Sequence, residues 1–359
     1  MPYVSGLFNS TIRVCICEIE YLGLQTEIRD PEPGRSSVLA TLKGTGGGRS
    51  LMLHGHIDTV AVAGMPEPFS GRIADGKVFG RGAFDMKGSV AGCMAAVKAL
   101  VDSGAELRGD VVVAGVADEE YGSLGTRDIL TRIKTDAAIV TEPTALDVCL
   151  AHKGYLWIEV EVAGRAAHGS KFELGIDANM KMGKFLAALG ELERELRGRT
   201  PHPLVGPPSL HAALLAGGSG LSTYAARSKL TIERRTVPGE TQAQAVAEIQ
   251  ALADRVAAGD PGFRATVRPF FARDPFEVSP AAAIVQALER AASKVRGAPP
   301  ARVGDTPWMD AALCQAAGIE TVVFGAAGGG AHADSEWVEF DSVVQLAAIL
   351  AETAADYCR

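Results

Sequence analysis

Apolar runs bounded by polar or glycine-rich breaks recur along the first half of the chain. Leu51-Met52-Leu53 is a continuous apolar run of the kind a fully buried strand shows, and it ends where His54-Gly55-His56-Ile57-Asp58 begins. Asp110 to Val116 and Ala137 to Val140 read as two more strands. Between the first and second lies a predicted helix, roughly Lys87 to Val101, rich in Ala, Val and Met. Buried strands alternating with helices predict a largely parallel sheet with crossover helices, an α/β architecture.

The pattern changes near Lys153. Leu156 to Val162 alternates strictly, with Trp157, Glu159 and Glu161 on one face, as a half-buried strand requires. A long helix at about 176–197, a strand at 229–234 and a helix at about 241–258 follow. After Pro269 the α/β style resumes, with helices near 280–296 and 306–317, a strand at 321–324 and a last helix near 341–356. The expected organisation is a discontinuous catalytic domain, 1–152 and 270–359, whose mostly parallel sheet is flanked by helices, interrupted by an α+β module at 153–269.

With 359 residues, two domains are expected rather than one. The formal charge of −8 and the lack of clustered Lys and Arg argue against a nucleic-acid surface. Cys15, Cys17, Cys93, Cys149, Cys314 and Cys358 form no CxxC pair, so reduced thiols in a cytoplasmic protein are expected. Neither a signal peptide nor a membrane span is indicated.

The candidate chemistry lies just past the strand-like runs. His56 and Asp58 are two apart, so both side chains point into the same space. Glu119 and Glu120 follow the run ending at Val116, Glu142 follows Val140, and His332 follows the run at 321–324. If the sheet is parallel, these residues gather along one edge, where α/β sheets bind ligands. Asp85 sits in the glycine-rich segment Gly80 to Gly88 that opens the first helix. Carboxylates gathered this closely raise one another's proton affinity unless cations neutralise them, which two divalent ions would do. Mixed imidazole and carboxylate donors suit Zn²⁺, with Co²⁺ or Mn²⁺ as substitutes. Because adjacent residues in extended chain point apart, one of Glu119 and Glu120 is expected to be a ligand and the other a base.

With HGHIDTV, GRGAFDMKG, DEEYGSLGT, TEPT, GRAAH, ERRTVPGE and AHADSEWV in this order, the sequence from about residue 16 onward resembles the zinc-dependent aminoacylase and carboxypeptidase G family of metallopeptidases. That family includes acetylornithine deacetylase and succinyl-diaminopimelate desuccinylase. The resemblance implies that His56 and Glu142 hold one ion, Glu120 and His332 the other, and that Asp85 bridges them. It further implies that Asp58 is hydrogen-bonded to the second nitrogen of His56 and that Glu119 is the general base for an activated water attacking an amide carbonyl. The inserted module is implied to be a ferredoxin-like lid and dimerisation domain. From it, His168 would reach a neighbouring subunit's active site to hold an oxyanion, and Arg235 would bind a substrate carboxylate. Arg234 is the competitor for that last role.

The implied enzyme is a dinuclear-metal hydrolase cleaving the amide bond of small N-acyl-amino acids, acting as a homodimer. The alternatives are a dipeptidase or carboxypeptidase of the same family, or a catalytically silent metal-containing binding protein. Three departures from the family pattern stand out. Ser222 or Thr223 stands where many relatives have Asn, Ala326 follows Gly325 where proline is frequent, and Met1 to Gly6 does not resemble the usual family start, as though the chain were shortened there. The first two leave substrate identity open.

Overall fold

The structure is a computed structural model and describes residues 24–62 and 64–359. Met1 to Gly6, Cys15 and Cys17 lie outside the described residues. The chain divides into two compact units: one takes the chain up to Leu150 with Val278–Val303 and Met309–Arg359, the other Ala151–Glu277 with Gly304–Trp308. The second boundary falls beyond the expected 269, because the strand entered before Pro269 continues to Arg273.

A sheet centred in the first unit runs in the order β1 (Gln25–Arg29), β2 (Ser37–Leu42), β6 (Val111–Val116), β3 (Leu51–His56), β7 (Ala137–Val140), β15 (Glu320–Val323) and β8 (Val148–His152), with the short strands β13 (Phe276–Glu277) and β14 (Arg302–Asp305) each paired to β8. Strand β3 pairs in parallel with both β6 and β7, and β15 in parallel with β7. Antiparallel strands β1, β2 and β8 flank this parallel centre. Every residue of β3, β6 and β7 is buried, which is why these strands read as unbroken apolar runs. Helix α1 (Gly88–Asp102) and helix α5 (Ala283–Arg296) both pack against α7 (Phe340–Tyr357). Two short helices complete the set, α2 (Leu124–Leu130) and α6 (Ala311–Ala316). The last is shorter than the expected 306–317.

A small antiparallel sheet of β4 (Ile73–Ala74), β5 (Lys77–Phe79), β17 (Trp337–Glu339) and β16 (Gly328–Gly329) also belongs to this unit. Cys93, Cys314 and Cys358 are buried free thiols, and Cys149 is buried as well. Among the described residues, no helix is long and apolar enough to cross a membrane.

The second unit is an antiparallel sheet in the order β10 (Ser209–Gly217), β11 (Arg227–Thr236), β9 (Gly154–Ala163) and β12 (Ala265–Arg273). Alternation along β9 is complete, with Leu156, Ile158, Val160 and Val162 buried against Phe185, Leu189 and Leu192 of α3 (Ala178–Gly198) and Ile249 and Leu252 of α4 (Gln242–Gly259). Asp177 caps α3 through the N–H groups of Asn179 and Met180, and Thr241 with Gln244 forms a capping box on α4. The opposite face carries rings instead, with Trp157 stacked on Phe271 at 4.9 Å and Tyr155 on Phe271 at 5.8 Å. Pro269 is accommodated because β12 is an edge strand with a register irregularity between Pro269 and Phe271.

Phe185 is fully buried and stacks with Phe263. Phe185→Ala should destabilise the second unit by about 3–5 kcal/mol, read as a lower urea midpoint.

Candidate metal centre

The three central strands end side by side, and each end delivers a candidate ligand. His56 is the last residue of β3, Glu119 and Glu120 follow β6 by a turn, and Glu142 lies two residues beyond β7. Asp85 comes from the irregular turn Ala83–Lys87 that leads into α1, reached through Gly82 in the left-handed region at φ 80°. His332 stands between β16 and β17, itself left-handed at φ 61°.

One carboxylate joins two half-sites. Asp85 Oδ1 is 3.0 Å from His56 Nε2, and Asp85 Oδ2 is 3.3 Å from His332 Nε2. Glu142 Oε1 completes the first half at 3.7 Å from His56 Nε2, and Glu120 Oε2 the second at 3.2 Å from His332 Nε2. His56, Asp85 and Glu120 present ligand atoms within 4.8 Å of one another, and so do His56, Glu119 and Glu142. This donor set of imidazole nitrogens and carboxylate oxygens fits divalent zinc, cobalt or manganese.

Asp58 occupies a different place from the one expected. His56 Nδ1 lies 3.1 Å from the backbone carbonyl of Asp58, while its distance to Asp58 Oδ1 is 3.7 Å. The carboxylate instead accepts the N–H of Glu119 on Oδ1 and of Glu120 on Oδ2, each at 3.2 Å. A buried side chain thus fixes the turn that presents both glutamates, helped by Asp118 in the left-handed region at φ 71°. The two residues are therefore in a turn rather than extended chain.

Electrostatics reflect the crowding. Burial and the neighbouring Glu142 and Asp310 hold Glu119 well above the usual carboxylate range. Burial raises Glu142 likewise, against the opposing pull of His56, with Asp85 and Glu120 adding to the rise. For Asp85, burial pushes upward, but hydrogen bonds to His332 and His56 prevail and lower it. Burial pushes His56 down, yet the carboxylates of Glu142, Asp85 and Asp58 outweigh it and hold the imidazole well above its ordinary value. His332 is pushed up to about 10 by Asp85 and Glu120.

Sequence reading passed over a network behind these ligands. His54, two residues before His56 and so on the same side of β3, pairs through Nε2 with Thr126 Oγ1 at 2.8 Å. Thr126 in turn donates to the buried carboxylate of Asp310. The alternation His54, His56, Asp58 was the available signal; nothing local marks Asp310.

In the second unit, His168 is exposed, its Nδ1 2.9 Å from Ser170 Oγ. It forms a β-bridge with Thr223, and Gly169 donates to the Ser222 carbonyl at 2.7 Å, so the segment that departs from the family pattern abuts this histidine. Arg235 is 31% exposed, donates from Nε to Glu233 at 2.7 Å and lies over the Tyr155 ring. Arg234 is 1% exposed and paired with Glu240 and Glu248, so of the two arginines it has less surface open to a ligand. Gly325, which precedes the other departure, Ala326, packs closely on its surroundings: a Cβ there would lie 2.3 Å from the carbonyl of Glu142.

Residues 52–356 match the sequence profile of peptidase family M20/M25/M40. The chain belongs to this family. Among similar members is the N-formyl-4-amino-5-aminomethyl-2-methylpyrimidine deformylase of Bacillus subtilis (strain 168), 29% identical, the match covering 94% of this chain and 86% of that protein. The acetylornithine deacetylase of Proteus mirabilis (strain HI4320) is 34% identical over a stretch covering 62% of this chain and 59% of the relative. The fold matches that of the YXEP protein of Bacillus subtilis, described as a dinuclear metal binding peptidase, with TM-score 0.76, 17% identity and coverage of 97% of this chain and 92% of that one. As an M20 family member the chain is a metal-dependent hydrolase acting on C–N bonds.

Because its pKa is raised on folding, His332 stabilises the metal-free protein fully below 6.5, and that contribution is lost as pH rises through about 10. Raised Glu119 and Glu142 act in the same direction. With chelator present, the protein should melt at a lower temperature at pH 10 than at pH 7; a Tm that holds or rises would contradict this.

Proposed function

We propose that the chain is a dinuclear-metal amidohydrolase that removes the acyl group from a small N-acylated amine or N-acyl-amino acid. The observation that carries this reading is the Asp85 carboxylate, with one oxygen toward each histidine half-site. In it, His56 and Glu142 hold one ion, Glu120 and His332 the other, and Asp85 both. Zinc is the favoured metal, with cobalt or manganese as substitutes. Divalent cations held there supply Lewis acidity, acidifying water and polarising an amide carbonyl. Glu119 is the general base: its raised proton affinity suits a group that accepts a proton from water and passes it to the leaving amine. Asp58 orients Glu119 and Glu120 through their backbone N–H groups.

We assign substrate binding to Arg235, whose partly open guanidinium suits a carboxylate, and to His168, contributed by a second copy of the chain. Edge strand β10 supports a homodimer: Leu214 is 70% and Leu215 57% exposed on a strand whose outer edge has no partner among the described residues. Relatives named as a pyrimidine deformylase and acetylornithine deacetylases favour deacylation, whereas the dipeptidase or carboxypeptidase reading uses the same ligands.

Three results test these assignments. Glu119→Gln should bind both ions as the wild type does, by elemental analysis, while kcat falls about 10²–10⁴-fold. Near-normal turnover in that variant would remove Glu119 from its role. Chelation should abolish hydrolysis across a panel of N-formyl, N-acetyl and N-succinyl amines and amino acids, and zinc should restore it. Faster turnover of dipeptides than of every acylated amine would favour the peptidase reading.

A further inference from the structure

The ion pair of Arg81 and Glu336 is not among the residues assigned above, yet its side chains are only 3% and 0% exposed. Glu336 Oε2 accepts from Arg81 Nη1 at 2.7 Å. Glu336 Oε1 accepts two backbone N–H groups, those of Phe84 at 2.9 Å and of Asp85 at 3.0 Å. The other arm of the guanidinium, Nη2, donates to the carbonyl of Ala333 at 2.8 Å. One buried carboxylate therefore holds the peptide of the shared ligand Asp85. One buried guanidinium holds the residue next to His332.

The two half-sites differ in how they are held. His56 and Glu142 sit at the ends of β3 and β7, strands locked into the sheet. His332 lies in an exposed loop, residues 331–335, pinched at Gly330, where a Cβ would lie 1.8 Å from the Ser335 carbonyl. That loop is tied to the Asp85 turn through Arg81 and Glu336. A buried charge pair is costly to desolvate and seldom contributes much net stability, so this one calls for a role in geometry.

We propose that Arg81 and Glu336 are positioning residues that set the separation of Asp85 and His332, and thereby the affinity of the His332 and Glu120 half-site for its ion. The inference rests on the ligand reading above. Glutamate suits the task because it is acceptor-only and both oxygens are used; glutamine has one acceptor oxygen and can serve Arg81 or the two N–H groups, not both.

The test is calorimetric titration of metal-free protein with Zn²⁺, repeated with Co²⁺ to follow its visible spectrum. Wild type should take up two ions. In E336Q the ion held with His332 and Glu120 should bind at least about 10-fold more weakly, the range known for residues that support metal ligands, and the ion that keeps the strand-held His56 and Glu142 should weaken distinctly less. The double variant R81M/E336Q removes the uncompensated charge and should regain thermal stability while its second ion stays weak; a purely structural pair would regain both. If E336Q does not fold, R81K decides, since an ammonium lacks the fork that spans Glu336 and Ala333 and should show the same selective loss. Two ions bound at wild-type affinity in any of these variants would overturn the inference alone. Fewer than two ions in the wild type would overturn the ligand reading, and this inference with it.

Discussion

The organising constraint is the repulsion among carboxylates gathered at one end of a parallel sheet. Asp58, Asp85, the adjacent pair Glu119 and Glu120, and Glu142 come from four segments, and the strand ends and the turn before α1 bring them close to His56 or His332. Like charges in a partly desolvated space cannot all remain ionised unless positive charge enters. Without metal, protons and imidazolium supply it, as the raised proton affinities of Glu119, Glu142, His56 and His332 record. A divalent ion competes for those same positions, so metal binding and proton release are linked.

Around this charge, hydrogen bonds from buried charged side chains fix the turns that carry the candidate donors. The Asp58 carboxylate shapes the Glu119 and Glu120 turn, the Glu336 carboxylate shapes the Asp85 turn, and the Arg81 guanidinium draws in the His332 loop. In each case an ionised side chain is bonded to backbone, the stronger kind of hydrogen bond and one that sets a main-chain position rather than a rotamer. Loops can then present ligands with the order that strands provide elsewhere.

Membership of the M20 family and the donor set agree on hydrolysis of a C–N bond. Ser222 and Thr223 lie against His168 in the second unit, and Gly325 lies against Glu142 in the first.

Much of this was legible from sequence. Continuous apolar runs announced β3, β6 and β7, strict alternation announced β9, and polar residues just past each run announced the cluster of candidate donors, because side-chain period and strand-end position follow from local chain geometry. Edge strand β10 was not, since its exposed leucines break the alternation. Nor was the extension of β12 past Pro269, which depends on an edge position that only strand order reveals. Tertiary structure alone decided that Asp58 serves two backbone amides rather than His56 Nδ1, that Arg234 is buried while Arg235 is open, and that Glu336 reaches back to Asp85. Those are distances between residues far apart in the chain or facing different sides of one strand. Sequence determines which groups are available; only the packed backbone decides which of several acceptors lies closest.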